Sequence, residues 1–337
     1  MFTFGGEAPF LTVVVPCYNE EKVIHETTRR LAGVLDRLVQ EQLIAPESKV
    51  LYVDDGSKDE TWTLIDELSR THPFVRGLKL ARNVGHQNAL LAGLTAAGAC
   101  SDCVISIDAD LQDDVTAIRS FLYKFHEGFD VVYGVRESRS TDSFFKRNTA
   151  LGFYRMMKLL GVNIMYNHAD YRLLSHRALS ALLEYKEVNL FLRGIVPLVG
   201  YRSAVVRYDR HERYAGESKY NLRKMLSFAF QGITSFSITP IRMVTAGGFI
   251  IFVLSFLAAL YSLFVHLRGQ TTSGWTSLIL SIWFIGGVQL MSLGLLGEYI
   301  GKIYMEVKGR PLYNIEINQL LEERKADADR SRKISSL

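Results

Sequence analysis

Four times within the first 115 residues, an apolar run of strand length ends in a polar cluster. Residues 11–15 lead into "PCYNEE", 50–53 into "DDGSKDE", Val75–Leu80 into "ARNVGHQ" and 104–107 into "DADLQDD". Helix-like segments separate the runs, at 20–42, 61–71, 87–97 and 115–126, and a fifth run follows at 131–135. Ser57 and Glu60 suit a capping box at the second of these helices. Strands alternating with helices predict an α/β domain with a mostly parallel sheet covered on both faces. In such sheets ligands gather at the carboxyl ends of the strands. Any one cluster reads equally well as a turn, since turns use Asp, Asn and Gly. Four in succession on one edge predict a site.

The clusters narrow the chemistry. No G-x-G-x-x-G or Walker sequence is present, which excludes the usual dinucleotide fold and the P-loop enzymes. Asp108 and Asp110, with Gln112 as a neutral oxygen donor, suit a hard divalent cation such as Mg²⁺ or Mn²⁺, with a turn at Ala109 expected to bring them to one ion. An ion held by so few carboxylates fills its sphere with substrate phosphates, so a bound diphosphate is expected. A solvated acidic turn is the alternative. Tyr18 offers a face for a base to stack on and Asp55 an acceptor for a ring N–H, with Glu20, Asn83 and Gly85 lining the same pocket. His86 reads equally as a structural hydrogen-bonder or a site residue. Asp113 and Asp114 are expected to start the next helix, where negative charge suits the N-terminus.

The apolar content of 48 % averages two unlike parts of the 337 residues. Residues 243–267 and 275–297 carry no Asp, Glu, Lys or Arg, and each exceeds the ~20 residues needed to cross a ~30 Å hydrocarbon core. Neither has the polar stripe of a buried soluble helix. Two transmembrane helices, about 243–267 and 275–300, are therefore expected. The loop between them carries only Arg268, whereas Arg213, Lys219, Arg223, Lys224, Arg242, Lys302, Lys308 and Arg310 flank the other side. The positive-inside rule then puts both termini and the N-terminal domain in the cytoplasm. Residues 221–234 read as an interfacial amphipathic helix or, alternatively, as a core-facing one. Gly297 and Gly301 hint weakly at helix packing. The tail from Glu316 reads as a charged surface helix that frays. A net charge of +4 is too small to argue for nucleic acid. Cys17, Cys100 and Cys103 make no disulfide framework, and the lone C-x-x-C reads as reduced thiols at the start of a buried strand. The N-terminal 21 residues lack a basic region and read as a strand, not a signal peptide.

"VVVPCYNEE", "VDDGSKDET", "ARNVGHQNAL" and "DADLQD", followed by "GVRESR", "DYRLLS" and "RYAGESKYNLRKM" and two apolar segments, resemble the successive motifs of family 2 glycosyltransferases. Within that family the chain is similar to the bacterial polyisoprenyl-phosphate glycosyltransferases, relatives of dolichol-phosphate mannose synthase. The resemblance spans residues 10 to about 315 and implies a GT-A fold. It implies a divalent metal on Asp108, Asp110 and Gln112, and a nucleoside held by Pro16, Tyr18, Glu20 and Asp55. Acceptor phosphate would fall to Arg136, with Arg139, Lys146 and Arg147 as further candidates that read equally as solvated or lipid-facing. Arg213, Ser218 and Lys219 would close over the diphosphate, and Asp170 would lie near the sugar. Asp110, Asp170 and Arg136 carry the catalytic expectation. Tetramers occur among such relatives, so a homo-oligomer is a possible state.

The resulting expectation is a GT-A domain over 1–215, an interfacial region over 216–240, a two-helix transmembrane hairpin over 241–301 and a cytoplasmic tail over 302–337. The activity expected is inverting transfer of a monosaccharide from a nucleotide sugar to undecaprenyl phosphate at the bacterial inner membrane, for cell-envelope glycosylation. UDP-glucose and UDP-N-acetylglucosamine are favoured over GDP-mannose. A lipid phosphate is already anionic near neutral pH, so positioning two repelling phosphates matters more than a general base. The rivals are a processive polysaccharide synthase and a non-catalytic partner of a flippase.

Overall fold

The computed structural model of the chain describes residues 8–136, 168–188, 192–209, 239–267 and 274–323. These fall into two compact units. One holds residues 8–136, 168–188, 192–209 and 311–323, and the other holds 239–267 and 274–310.

The first unit is an α/β layer structure. Its strands are β1 (Leu11–Cys17), β2 (Lys49–Asp54), β3 (Val75–Leu80), β4 (Cys103–Ser106), β5 (Val131–Arg136), β6 (His168–Ser175), β7 (Ser203–Tyr208) and β8 (Ile315–Asn318), in the order β7-β5-β6-β4-β1-β2-β3-β8. Pairings β1–β2, β1–β4, β2–β3 and β5–β7 are parallel; β4–β6, β5–β6 and β3–β8 are antiparallel. Every residue of β1 is buried, the continuous apolar run of a strand covered on both faces. Helix α1 (Ile24–Gln40) buries Ile24, Thr27, Thr28, Leu31, Val34, Leu35 and Leu38, a stripe at helical spacing. Helices α2 (Thr61–Thr71), α3 (His86–Gly98), α4 (Ala117–His126) and α5 (His176–Leu183) follow, then a short turn α6 (Leu192–Ile195). On α3, a Cβ at Gly93 would lie 2.4 Å from Val14 Cγ1 and 2.6 Å from Val53 Cγ2, so glycine there lets the helix lie close on the sheet.

Antiparallel β6 decides where the site forms. Ser106 at the end of β4 pairs with Arg172, so the beginning of β6 lies at the carboxyl edge of β4. Asp170, near the start of its own strand, is thereby set beside the "DADLQDD" turn.

Several expectations need correction. The first helix begins at Ile24, not residue 20, and the fourth at Ala117, not 115. There is no capping box at α2: the Ser57 hydroxyl accepts from the Asn19 amide at 3.0 Å, and Asp59 Oδ1 accepts from the Thr61 amide at 3.1 Å. The tail is not a helix at Ile315–Asn318 but strand β8. The edge of β3 offers unpaired backbone groups there, and antiparallel pairing satisfies them. Past β8, Gln319 Oε1 accepts from the Gly77 amide at 2.7 Å, Leu320 is buried and Glu323 pairs with Arg76. Cys17 and Cys103 are buried and Cys100 half-buried, all as free thiols; burial raises the first two above the usual thiol range.

The second unit contains α7 (Thr239–Leu267) and α8 (Trp275–Lys308). Within α8, Phe284–Lys308 is the one stretch of described residues long and apolar enough to cross a membrane, while Thr239–Ile251 of α7 is apolar over a shorter length. The first span of the expected hairpin, 243–267, is thus not established by the described residues. Helix α8 runs past the expected end at about residue 300 to Lys308, and Gly309 follows at φ +55°, as is common beyond a helix end. Among the described residues, a Cβ at Gly297 or Gly301 would meet no atom of a neighbouring segment within 4 Å. The amphipathic helix expected over 221–234 lies outside the described residues.

Candidate active site

The loops after β1, β2 and β3 are stitched to one another by backbone amides and side-chain oxygens. The Asp55 amide donates to the Cys17 carbonyl at 2.9 Å, the Glu20 amide to Thr61 Oγ1 at 2.9 Å, and the Lys58 amide to Asn19 Oδ1 at 2.9 Å. The carboxylate of Asp55 is buried, and its two oxygens accept from the amides of Val84 at 2.7 Å and Gly85 at 2.9 Å. Asp55 therefore braces the "ARNVG" loop, a task its expected role as base acceptor did not include. Its neighbour Asp54 is fully buried, and Oδ2 has no hydrogen-bond partner among the described residues. Burial raises the Asp54 carboxyl above the usual range, while its bonds to Ser57 pull the other way. Around this pocket Pro16 is buried, Tyr18 and Glu20 are half-buried and Asn83 is exposed.

In the acidic turn, Ala109, Leu111 and Asp113 are buried while Asp108, Asp110 and Gln112 are half-exposed. The strand ends at Ser106 and a turn follows at Ala109 and Asp110, where the spacing of the carboxylates calls for one. Leu111, at φ +57°, tightens it. Thr27 Oγ1 of α1 donates to the Ala109 carbonyl at 2.9 Å and the Gln112 amide to Asp110 Oδ1 at 3.2 Å, which fixes the turn. Burial raises the Asp108 carboxyl to about 6; His86 opposes the shift, and the charges of Asp170, Asp113 and Asp110 add to it. Among the described residues no three His, Cys, Asp or Glu side chains converge as a ready metal cage. Two carboxylates and an amide oxygen, all hard donors and all half-exposed within one turn, fit a cation of the Mg²⁺ type that shares its sphere with phosphates.

Next to this turn lies a buried charge network. Asp170 is 5 % exposed. Its Oδ1 accepts from Arg172, and Arg193 Nη2 donates to Oδ2 at 3.0 Å. Arg172 is itself buried, and its Nη1 donates to the Leu192 carbonyl at 3.3 Å. His86 Nε2 stands 3.5 Å from Asp170 Oδ2 and 3.7 Å from Asp108 Oδ1, linking the two aspartates. Burial alone would raise the Asp170 carboxyl. The bond with His86 and the charges of Arg193 and Arg172 overcome it and hold Asp170 well below the usual carboxylate range. Partial burial works against charge on His86, but its hydrogen bond to Asp170 and the charges of Asp108 and Asp170 raise its pKa above the ordinary value. An aspartate held ionised this firmly is suited to orienting a hydroxyl or offsetting positive charge, and poorly suited to taking a proton.

Asp113 does not serve as a helix-start residue. Arg136 grips it through Nε to Oδ1 at 2.8 Å and Nη2 to Oδ2 at 3.1 Å, and Tyr208 donates to Oδ1 at 2.7 Å. Asp114 does sit where expected, accepting from the Thr116 amide at 2.9 Å just ahead of α4. The structure thus brings Asp108, Asp110, Gln112, His86 and Asp170 together, with Arg136 joined to the same turn through Asp113. Arg139, Lys146, Arg147, Arg213, Ser218 and Lys219 lie outside the described residues. Arg172, Arg193 and Tyr208 escaped the sequence reading. The lone cations in "ADYRLLS" and "LFLRGIV" are a signal of buried pairing; Tyr208 offers none.

The family model described as "Glycosyl transferase family 2" matches residues 12–183. The chain is 61 % identical over 310 residues to the uncharacterized glycosyltransferase YkoT of Bacillus subtilis (strain 168), covering 92 % of each. It is 40 % identical over 311 residues to the SfII prophage-derived bactoprenol glucosyl transferase of Shigella flexneri, covering 91 % of this chain and 97 % of that protein. Among solved structures, glucosyl-3-phosphoglycerate synthase from Mycobacterium tuberculosis aligns with a TM-score of 0.43 at 18 % identity, over 67 % of this chain and 76 % of its own.

Proposed function

The chain belongs to glycosyl transferase family 2, and from that premise we propose that it moves a hexose from a nucleotide sugar to a polyprenyl phosphate at the inner face of a membrane. The observation that carries the reading is the half-exposed acidic turn of Asp108, Asp110 and Gln112, linked through His86 to ionised Asp170. The name of the relative at 40 % identity, a bactoprenol glucosyl transferase, supports a polyprenyl acceptor and favours glucose; we take UDP as its carrier. Bound at Asp108, Asp110 and Gln112, Mg²⁺ or Mn²⁺ would supply positive charge to a departing nucleoside diphosphate. Tyr18, Glu20, Pro16, Asn83 and the loop braced by Asp55 form the nucleoside pocket, with Arg213, Ser218 and Lys219 closing on the diphosphate. Arg136, helped by Arg139, Lys146 and Arg147, receives the acceptor phosphate. That phosphate needs no base to become a nucleophile, in keeping with an Asp170 that stays ionised. In-line displacement inverts an α-linked donor to a β-linked lipid product. Segments α7 and α8 are read as the membrane hairpin, with cytoplasmic termini.

The test is incubation of membranes containing the full chain with radiolabelled UDP-glucose, UDP-N-acetylglucosamine or GDP-mannose and undecaprenyl phosphate, with and without EDTA. Label is expected in the lipid phase from UDP-glucose, abolished by EDTA and lowered about 10³-fold by Asp110→Asn. Label in a long polymer would instead mark a processive synthase. Metal-dependent nucleotide binding without any transfer would mark a non-catalytic partner.

A further inference from the structure

We propose that Gln87 is a positioning residue for Asp170: from the first turn of α3 it fixes the Leu192 peptide, and with it the two arginines that hold the carboxylate for the sugar. The inference rests on the reading of Asp170 as the carboxylate beside the transferred sugar. Gln87 Oε1 accepts from the Leu192 amide at 3.1 Å. On the far side of the same residue, the Leu192 carbonyl accepts from Arg172 Nη1 at 3.3 Å. Arg172 also donates through Nη2 to Asp170 Oδ1. Arg193, the next residue along, donates through Nε to Asp170 Oδ1 at 3.2 Å and through Nη2 to Oδ2 at 3.0 Å. His86, the neighbour of Gln87, stands 3.5 Å from Asp170 Oδ2 and closes the ring.

The ring ties the first turn of α3, the start of β6 and α6 to one another. Helix α6 has four residues, too few to hold its own place by internal hydrogen bonds. Leu192 is its first residue and is 1 % exposed, so its amide has neither an intrahelical acceptor nor water to replace one. Gln87 supplies that acceptor. Removing it leaves a buried donor unsatisfied. A shift of α6 would relieve the donor, and it would carry the Arg193 fork away from the carboxylate. A group aimed at one sugar hydroxyl tolerates little such movement, since a displacement of about 1 Å can cost about 10²-fold in rate. The same loop is held just ahead of Gln87 by Asp55, whose oxygens accept from the Val84 and Gly85 amides. One stretch of backbone, residues 84–87, thus joins the nucleoside pocket to the brace of Asp170.

The experiment measures steady-state transfer from UDP-glucose to undecaprenyl phosphate by the full chain, with Mn²⁺-dependent UDP binding in parallel. Wild type is compared with Gln87→Met, Gln87→Glu, Asp170→Asn and the double variant Gln87→Met with Asp170→Asn. Gln87→Met keeps the length of the side chain but has no acceptor. It is expected to lower kcat about 10-fold while UDP affinity and acceptor KM change less than about 2-fold. Gln87→Glu keeps an oxygen for the Leu192 amide and should bring kcat back to within about 3-fold of wild type. Because Gln87 acts through Asp170, its loss should cost less than about 2-fold once Asp170→Asn is in place. A full 10-fold loss in the double variant, a Gln87→Glu as slow as Gln87→Met, or UDP affinity falling together with kcat overturns the proposal. If Asp170→Asn is too slow to measure, the split between kcat and UDP affinity and the recovery by Gln87→Glu decide. If Gln87→Met does not fold, as judged by size-exclusion chromatography in detergent, Arg193→Lys takes its place with the same expected split, since it keeps the charge but loses the fork. Absence of transfer by the wild type would sink the proposed activity and this proposal with it, whereas wild-type transfer with an unaltered kcat in Gln87→Met sinks this proposal alone.

Discussion

The carboxyl edge of the sheet is built in two different ways. Around β1, β2 and β3 the loops are joined by amide-to-oxygen bonds and by close approach of backbone, as where Asp55 receives the amides of Val84 and Gly85. Around β4, β6, β5 and β7 the joints are buried ion pairs: Asp170 with Arg172 and Arg193, and Asp113 with Arg136. The first half suits a neutral ring and ribose, for which shape is the discriminating property. The second suits anions, for which fixed and desolvated charge matters most. The two halves should therefore fail for different reasons, one when space is taken away and the other when charge is.

The sharpest break is expected from Arg172→Met. It leaves Asp170 buried with one arginine removed, and breaking a buried pair from one side costs about 3–5 kcal/mol. Arg193 and His86 remain beside the carboxylate, so about 3 kcal/mol is the expected loss, read by thermal or denaturant unfolding. A variant as stable as wild type would show that the charge network does not hold this half together.

Gly56→Ala probes the other half. Gly56 has φ +64°, and a Cβ there would lie 2.6 Å from both the Arg82 carbonyl carbon and the Asn83 nitrogen. These are backbone atoms, so the "DDGS" turn and the "ARNVG" loop must part. The left-handed backbone costs about 1–2 kcal/mol for a residue with a Cβ, and the clash adds to it. A loss of about 2 kcal/mol is expected, with UDP affinity falling more than acceptor affinity. Equal falls in both would erase the distinction between the halves.

The same division explains what could be read in the amino-acid order. The first half was legible because parallel β-α units place each loop directly after its strand, so "PCYNEE", "DDGSKDE" and "ARNVGHQ" announced a shared edge. Asp108 and Asp110 were legible for the same reason. The second half depends on β6 running antiparallel between β4 and β5, which brings residues near 170 beside residues near 108. Nothing in local pattern reveals that neighbour. Asp113 was misread for a related reason: an acidic residue just before a helix normally serves the helix N-terminus, but here Arg136, 23 positions on, claims it. Strand β8 was missed because four residues with a polar alternation form a strand only when β3 presents an open edge.

The smallest effect should come from a charged pair of this same half that is only partly desolvated. Asp130 precedes β5 at the amino edge of the sheet, its side chain 6 % exposed, while its partner Arg177 is 64 % exposed. Bonding from Arg177, against the effect of burial and with help from Ser175, holds the Asp130 carboxyl below its ordinary value. A depressed carboxyl contributes stability that is fully present above its unfolded pKa of about 3.9 and is lost as pH falls through the folded pKa. Asp130→Asn keeps an acceptor for the Ser175 hydroxyl while removing the charge and one of the two oxygens that accept from Arg177. It should therefore cost about 0.5–1 kcal/mol at neutral pH, the range of a screened pair. The gap between wild type and variant should persist down to about pH 4 and close below it, as measured by urea unfolding across pH 2–7. A loss as large as that of Arg172→Met would mean that charge alone, without burial of both partners, distinguishes this half of the sheet; a gap that widened below pH 4 would reverse the sign assigned to Asp130.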